Sequence, residues 1–294
     1  MKGSYEDGRT SLDEERKPAS EGDDRVLGSP LITLLSDFGL KDPYIAEVKA
    51  VVLTICPEAR IVDISHSIEK FNIRMGAFVL ASAARYFPEG TIHIAVVDPG
   101  VGTPRRAVLV ETKHAFYVGP DNGLLMLAAH REEIKRVYSI TDPRLMLPRV
   151  SSTFHGRDVF APAAAHLANG TPPSCFGSEI NDYVMPHFAA PLLKASRIAG
   201  EILHIDDFGN IITNIMGAEL ERAGFRIKEP LSIRLRNKSF NLNLCEAYGD
   251  VAPKAALALI GSHDFLEISV NQGSAAKILD VKAGDNVVVS AAKG

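Results

Sequence analysis

Residues 31–65 read "LITLLSDFGLKDPYIAEVKAVVLTICPEARIVDIS". The apolar run "LITLLS" is a buried strand that ends at the turn Asp37-Phe38-Gly39. Across residues 43–56, Ile45, Val48, Val52 and Ile55 fall on one helical face, with Pro43 near the first turn. "RIVDIS" is a second strand, "NIRMGAFVLASAARYF" a second amphipathic helix, and "TIHIAVVD" a third strand. Strand, helix, strand, helix, strand predicts a parallel sheet with crossover helices. Further along, "AVLVET" and "AFYVG" predict a hairpin, "PDNGLLMLAAH" a turn into a helix, and "RDVFAPAAAHLANG" a helix closed by Gly170.

From about residue 171 the chain turns Pro-rich and irregular, and residues 176–195 are expected to be a linker. Short strands at close spacing follow ("RIAGEILHID", "NIITNI", "LSIRLR", "ALALIG", "FLEISV", "DNVVVSAA"), which predicts a small all-β, barrel-like domain over 196–294. The expected organisation is therefore an α/β domain over 30–175, the linker, and the β domain. Residues 1–29 are polar, acidic and poor in apolar side chains, so they are expected to be disordered and carry no secretory signal. The chain has 294 residues, 46% of them hydrophobic, and a net charge of −4 with both signs interspersed. That balance argues against nucleic acid as a partner. No apolar run approaches the roughly 20 residues of a membrane helix. Cys56, Cys175 and Cys245 form no CxxC pair, which points to free thiols in a reducing, cytoplasmic compartment and to no zinc site.

Asp37, Asp63 and Asp98 stand at or near the carboxyl ends of the first three strands, where open α/β sheets bind ligands. Each alone could be a turn former; three in register are harder to dismiss. "DPGVGTPRR" (98–106) is glycine-rich but lacks the Lys-Ser/Thr of a phosphate loop. "DFG" occurs at 37–39 and 207–209 without the other kinase motifs. In "STFHGRDVFAP", His155 reads as a candidate general base beside a helix start, whereas Asp158 reads as a cap or as a partner of Arg157. His66, His93, His114 and His204 lie in strands or at their ends and read as structural. "HIDDFGNIITN" offers Phe208 to stack on a base and Asn210 to bond its edge, or else a bend with an Asx turn. In "GSHDFLEISVNQGSAA", strand alternation puts Phe265 and Glu267 on one side.

Seven blocks in this order, "LLSDFG", "VDISHSI", "VVDPGVGTPRR", "PDNGLL", "SSTFHGRD", "IDDFGNIITNI" and "GSHDFLEISVNQGSAA", make the chain from about Leu31 onward similar to the S-adenosylmethionine hydroxide adenosyltransferases. These are hydrolases related to the 5′-halo-adenosine synthases. The resemblance implies cleavage of S-adenosylmethionine by water into adenosine and methionine, with Asp98, Arg105 and His155 as the catalytic set. It further implies that Asp37 holds the ribose hydroxyls and that Phe71 and Phe154 line the sugar and base. Asp206 (or its neighbour Asp207), Phe208 and Asn210 would receive the methionine end and part of the base. Ser262, Phe265, Glu267, Val270 and Gln272 would form a second-domain wall. His263 and Val270 stand where halogenating relatives carry arginine. The family's sites lie between subunits of a trimer, which implies a homotrimer whose only ligand is the small-molecule substrate. No cofactor or metal is implied, since the leaving group is a neutral thioether; the demand falls on the water, whose pKa in bulk is about 15.7. A guanidinium would favour hydroxide character and an imidazole would accept the proton. The alternatives are a halide-dependent synthase on the same scaffold, which needs no base, and a non-catalytic module that binds the same metabolite.

Overall fold

The structure, a computed structural model, describes residues 29–194 and 196–292. The disorder expected of residues 1–29 thus falls outside the described residues, but for Ser29.

The first domain is built on six strands: β1 (Leu31–Ser36), β2 (Arg60–Ser65), β3 (Ile92–Val96), β4 (Ala107–Thr112), β5 (Phe116–Pro120) and β6 (Ile134–Ser139). Their order is β2-β1-β3-β5-β4-β6. The pairs β1–β2, β1–β3 and β3–β5 are parallel, while β4 runs antiparallel to both β5 and β6. The expected parallel sheet is therefore mixed, because the hairpin of β4 and β5 joins it sideways. The charged β6, "IKRVYS", adds an edge strand beyond those the sequence pattern predicts.

The helices α1 (Tyr44–Ile55) and α2 (Ile73–Ala84) are the crossovers, followed by α3 (Met126–Arg131) and α4 (Ala161–Ala168). Asn72 starts α2 by accepting the Met75 N–H at 3.0 Å, which satisfies one donor the helix leaves free. One apolar layer places Val48, Val52 and Phe160 on one face of the sheet; the other places Phe78, Leu80 and Leu125 on the opposite face. Each such side chain contributes about 1.5–3 kcal/mol of burial. The helix expected over 157–170 is divided: Gly156–Phe160 forms a wide π turn and α4 begins only after it.

The second domain is a barrel made of β8 (Arg197–Ile205), β9 (Ile211–Met216), β10 (Pro230–Leu235), β11 (Lys238–Cys245), β12 (Ala256–Ile260), β13 (Phe265–Val270) and β14 (Asn286–Ala291). Neighbours run β14-β10-β11-β12-β13-β9-β8, and β14 pairs back onto β8, which closes seven strands. A short β7 (Leu192–Lys194) lies along β8, and two short helices, α5 (Gly217–Arg222) and α6 (Ala275–Leu279), fill the connections. Ile198, Leu231, Leu266, Ile268 and Val289 pack the interior.

Residues 176–195 are not a loose tether where described. Phe176, Phe188 and Ala189 are buried, and Arg106 Nη1 meets Asp182 at 2.6 Å. The two domains share one apolar cluster, in which Phe78 of α2 stacks on His204 of β8 at 4.9 Å and Phe265 of β13 packs alongside.

Candidate active site

Parallel β1 and β3 end side by side, so Asp37 and Asp98 emerge together at their carboxyl ends. A cleft of about 410 Å³ opens there, lined among others by Asp37, Lys70, Phe71, Asp98, Phe154 and His155. A larger hollow of about 730 Å³ lies beside α5 and the β12–β13 turn and contains none of these residues. We assign the site to the smaller cleft because the carboxylates and the imidazole converge there.

The turn after β3 is held by backbone bonds from Val101 N–H to the Asp98 carbonyl (3.2 Å) and from Thr103 N–H to the Gly100 carbonyl (3.1 Å). Gly102 has φ +76°, and a Cβ there would stand 2.3 Å from the Ser152 carbonyl oxygen. Glycine thus lets this turn lie directly against the loop that carries His155. The turn returns Arg105 to Asp98: Nε donates to Oδ1 at 3.0 Å and Nη2 to Oδ2 at 2.5 Å. Nη2 also lies 2.8 Å from His155 Nδ1, and Nη1 donates to the Arg106 carbonyl at 3.2 Å. The three expected catalytic side chains are therefore brought into one hydrogen-bonded chain. Asp98 and His155 line the cleft, whereas Arg105 lies behind them with its face over the Phe160 ring at 5.3 Å. Burial, with the Arg105 charge beside it, holds the His155 imidazole below its ordinary pKa of 6.5.

Asp158, fully buried, explains the shape of the His155 loop. Its Oδ2 accepts the Ser151 N–H at 2.8 Å and its Oδ1 accepts Arg157 Nε at 2.7 Å, while Arg157 Nη1 reaches Glu47 Oε2 at 2.7 Å. The Arg157 pair holds the Asp158 carboxyl below its ordinary value even though burial acts the other way. Its reading as a local partner of Arg157 and an anchor of the helix start fits this geometry.

Asp37, also in the cleft lining, is buried and its Oδ2 accepts the Phe71 N–H at 2.9 Å; its carbonyl accepts the Lys70 ammonium. Phe71 has φ +64°, a costly left-handed conformation for an aromatic residue, and the residue is 68% exposed while lining the cleft. Phe38, Tyr44 and Phe154 form an aromatic wall in which Phe154 meets the other two edge-on and Phe38 and Tyr44 are tilted, with centroids 5.2–5.9 Å apart. Phe38, Tyr44, Asp42 and Lys70 line the cleft without having been anticipated. Each adjoins an anticipated element, Phe38 and Lys70 directly beside Asp37 and Phe71, and Tyr44 and Asp42 flanking Pro43.

The third strand-end acid does not join them. Asp63 pairs with Lys49 at 2.6 Å and His66 at 3.2 Å, and is absent from the cleft lining. None of His66, His93, His114 and His204 lines the cleft.

The second-domain candidates also stand apart from this cleft within one chain. Asp206 grips Asn210 through Oδ1 to the backbone N–H (2.8 Å) and Oδ2 to the side-chain amide (2.9 Å), leaving Phe208 80% exposed on the bend between them. Glu267 is buried and accepts Tyr248 Oη (2.6 Å) and Ser269 Oγ (2.7 Å). Ser262 and Gln272 are exposed. Phe265 and Val270 are buried within one chain: Val270 faces the barrel interior and Phe265 is 1% exposed at the domain seam. Alternation along β13 sends Leu266, Ile268 and Val270 inward and Phe265 and Glu267 to the other side.

Among the described residues, no group of three or more His, Cys, Asp or Glu side chains is placed to hold a metal ion, and no helix is long and apolar enough to cross a membrane.

Comparison with known proteins joins these observations to a family. Residues 32–177 match the SAM hydroxide adenosyltransferase N-terminal domain, and residues 200–288 match its C-terminal domain. An "(R)-S-adenosyl-L-methionine hydrolase" of Thermus thermophilus is 41% identical over 86% of this chain and 96% of its own length. A "Fluorinase" of an Actinoplanes species is 30% identical over 90% of this chain and 99% of its own. The solved structure of an uncharacterized conserved protein from Thermotoga maritima superposes with a TM-score of 0.76 at 37% identity, over 88% of this chain and 99% of that one. With both domains matched in order and the hydrolase nearer than the fluorinase, the chain belongs to the SAM hydroxide adenosyltransferase family.

Proposed function

We propose that the protein hydrolyses S-adenosyl-L-methionine, water attacking the ribose C5′ carbon to give adenosine and L-methionine. The observation that carries this reading is the pairing of Asp98 and His155 on one cleft wall, tied together by Arg105. A halide nucleophile has no proton to lose and would leave that set without work. The leaving group is a neutral thioether departing from a sulfonium, so no acid, metal or cofactor is asked for. With Asp98 paired to Arg105, Asp37 and Asp42 still outnumber Lys70 among the charged lining residues, which makes the cleft hospitable to that cation. Asp37 has an oxygen left for the ribose hydroxyls, and the aromatic wall of Phe38, Tyr44 and Phe154 suits the base and sugar faces.

The active assembly is a homotrimer in which Asp206, Phe208, Asn210, Ser262, Glu267 and Gln272 complete a neighbour's cleft. Supporting this are the exposure of Phe71, which lines the cleft, and the outward Phe208, left largely uncovered by the described residues. Three free thiols suit the cytoplasm. The test is incubation with S-adenosyl-L-methionine, supplied as each sulfur epimer because the relatives' names specify the R form, with and without chloride, followed by chromatography. Adenosine and methionine in equal amounts, independent of chloride, are expected. A 5′-halo product would replace the reading with the synthase, and bound but unchanged substrate would replace it with a binding module.

A further inference from the structure

Arginine carries only N–H donors, so where its Nη2 lies 2.8 Å from His155 Nδ1 the ring nitrogen must accept. A neutral imidazole that accepts at Nδ1 carries its proton on Nε2. An imidazolium would set Nδ1–H against the guanidinium donors, so the contact also selects against the charged ring. Burial acts in the same direction. Arg105 is further committed to both Asp98 oxygens and to the Arg106 carbonyl, and it stands behind the cleft wall.

We infer that His155 meets the reacting water as a donor through Nε2–H, that Asp98 takes the water's proton, and that Arg105 is a positioning residue that fixes the tautomer of one and the orientation of the other. This rests on the proposed hydrolysis and reassigns the base expected at His155. In the step, a lone pair of the water oxygen forms the C5′–O bond while the C5′–S bond breaks and its electron pair stays on sulfur. The oxygen, now bonded to carbon, becomes an oxonium, and its excess proton passes to Asp98 and on to solvent. An oxonium is so acidic that a carboxylate gripped by arginine is base enough. The His155 N–H holds the water by one of its lone pairs and leaves the other aimed at carbon, a matter of orientation more than of proton transfer.

Two measurements test this. Long-range nitrogen–proton spectra of protein labelled with ¹⁵N-histidine, assigned by the signal lost in His155→Gln, should show the Nε2–H tautomer at neutral pH. In Arg105→Met the same ring should populate both tautomers, which a merely structural arginine would not change. An Nδ1–H or imidazolium pattern in the unaltered protein overturns the inference. In turnover, His155→Ala should lose about 10²-fold, the scale of a lost preorganised donor, while His155→Gln, which donates but cannot act as a base, should stay within about tenfold of the unaltered protein. Asp98→Asn should lose at least about 10²-fold. Equal loss in the glutamine and alanine variants, or near-full turnover of Asp98→Asn, overturns it. If the unaltered protein releases no adenosine, the hydrolysis reading fails instead, and the tautomer result stands by itself.

Discussion

Gly102→Ala tests whether the turn after β3 and the His155 loop form one unit. Two penalties combine. The left-handed backbone at φ +76° costs an alanine about 1–2 kcal/mol. The new Cβ would also stand 2.3 Å from the Ser152 carbonyl, and relieving that needs a shift of roughly 1 Å, an overpacking strain of about 1–3 kcal/mol. Together they should destabilise the first domain by about 2–5 kcal/mol, and each kcal/mol lowers the melting temperature of a domain this size by about 2–4 °C. Ser152 lies three residues from His155, and a misplacement of about 1 Å can cost about 10²-fold in rate. Gly39 supplies the control: its φ is +74°, but a Cβ there meets nothing within 4 Å, so Gly39→Ala carries the backbone penalty alone. Thermal melts and kcat for both variants decide the matter. If Gly102→Ala melts and turns over like Gly39→Ala, the close approach to Ser152 is not what sets the Arg105–His155 contact.

Turnover should be level above about pH 7 and fall only as His155 protonates below its ordinary 6.5, because burial and Arg105 depress that ring; an acid limb centred above 6.5 in a pH–rate profile would contradict this. His93, fully buried and depressed to about 4, is neutral in the fold but binds a proton in the unfolded chain below 6.5. Stability contributed by this difference is present above 6.5 and lost as pH falls towards 4, about 3 kcal/mol in all; urea titrations across that window should show the slope, and His93→Gln should flatten it. Specific activity should fall on dilution below the assembly constant, and mixing His155→Ala with Asn210→Ala should restore activity that neither has alone, since some clefts then draw both halves from intact copies. A mixture that stays inactive while subunits exchange would place the whole site in one chain.

Much of the fold was legible because β1 and β3 are short apolar runs buried almost throughout, and α1 and α2 bury one face whose period shows in the letters. β6 and β11 are harder to read because polar residues interrupt their apolar ones. In β6 the charged Lys135 and Arg136 break the apolar run, and in β11 Asn241 and Asn243 alternate with leucines on a strand whose outer half is exposed. The π turn at Gly156–Phe160 has no periodic signature, for it is set by Asp158 reaching back to Ser151. The set of Asp98, Arg105 and His155 could be named from motif order, but which ring nitrogen carries the proton depends on a contact across fifty residues. Phe265 and Val270 could be named too, yet alternation along β13 alone does not tell which side faces solvent.

Sheet order gives the loop from Val97 to Arg106 a particular freedom. It leaves β3 and enters β4, and β5 lies between them, so the chain bridges two strand spacings, about 10 Å. Its residues could stretch about 30 Å. The surplus is slack, and the protein folds that slack into the doubled-back turn that returns Arg105 to the acid seven positions before it. A loop shortened by two or three residues would still connect the strands and leave the sheet intact, but its arginine could no longer double back. Loop length here is therefore a dial on chemistry that strand pairing does not sense, so shortened variants should keep the sheet while losing turnover, and they should melt lower because the buried Asp98 side chain is left without its arginine.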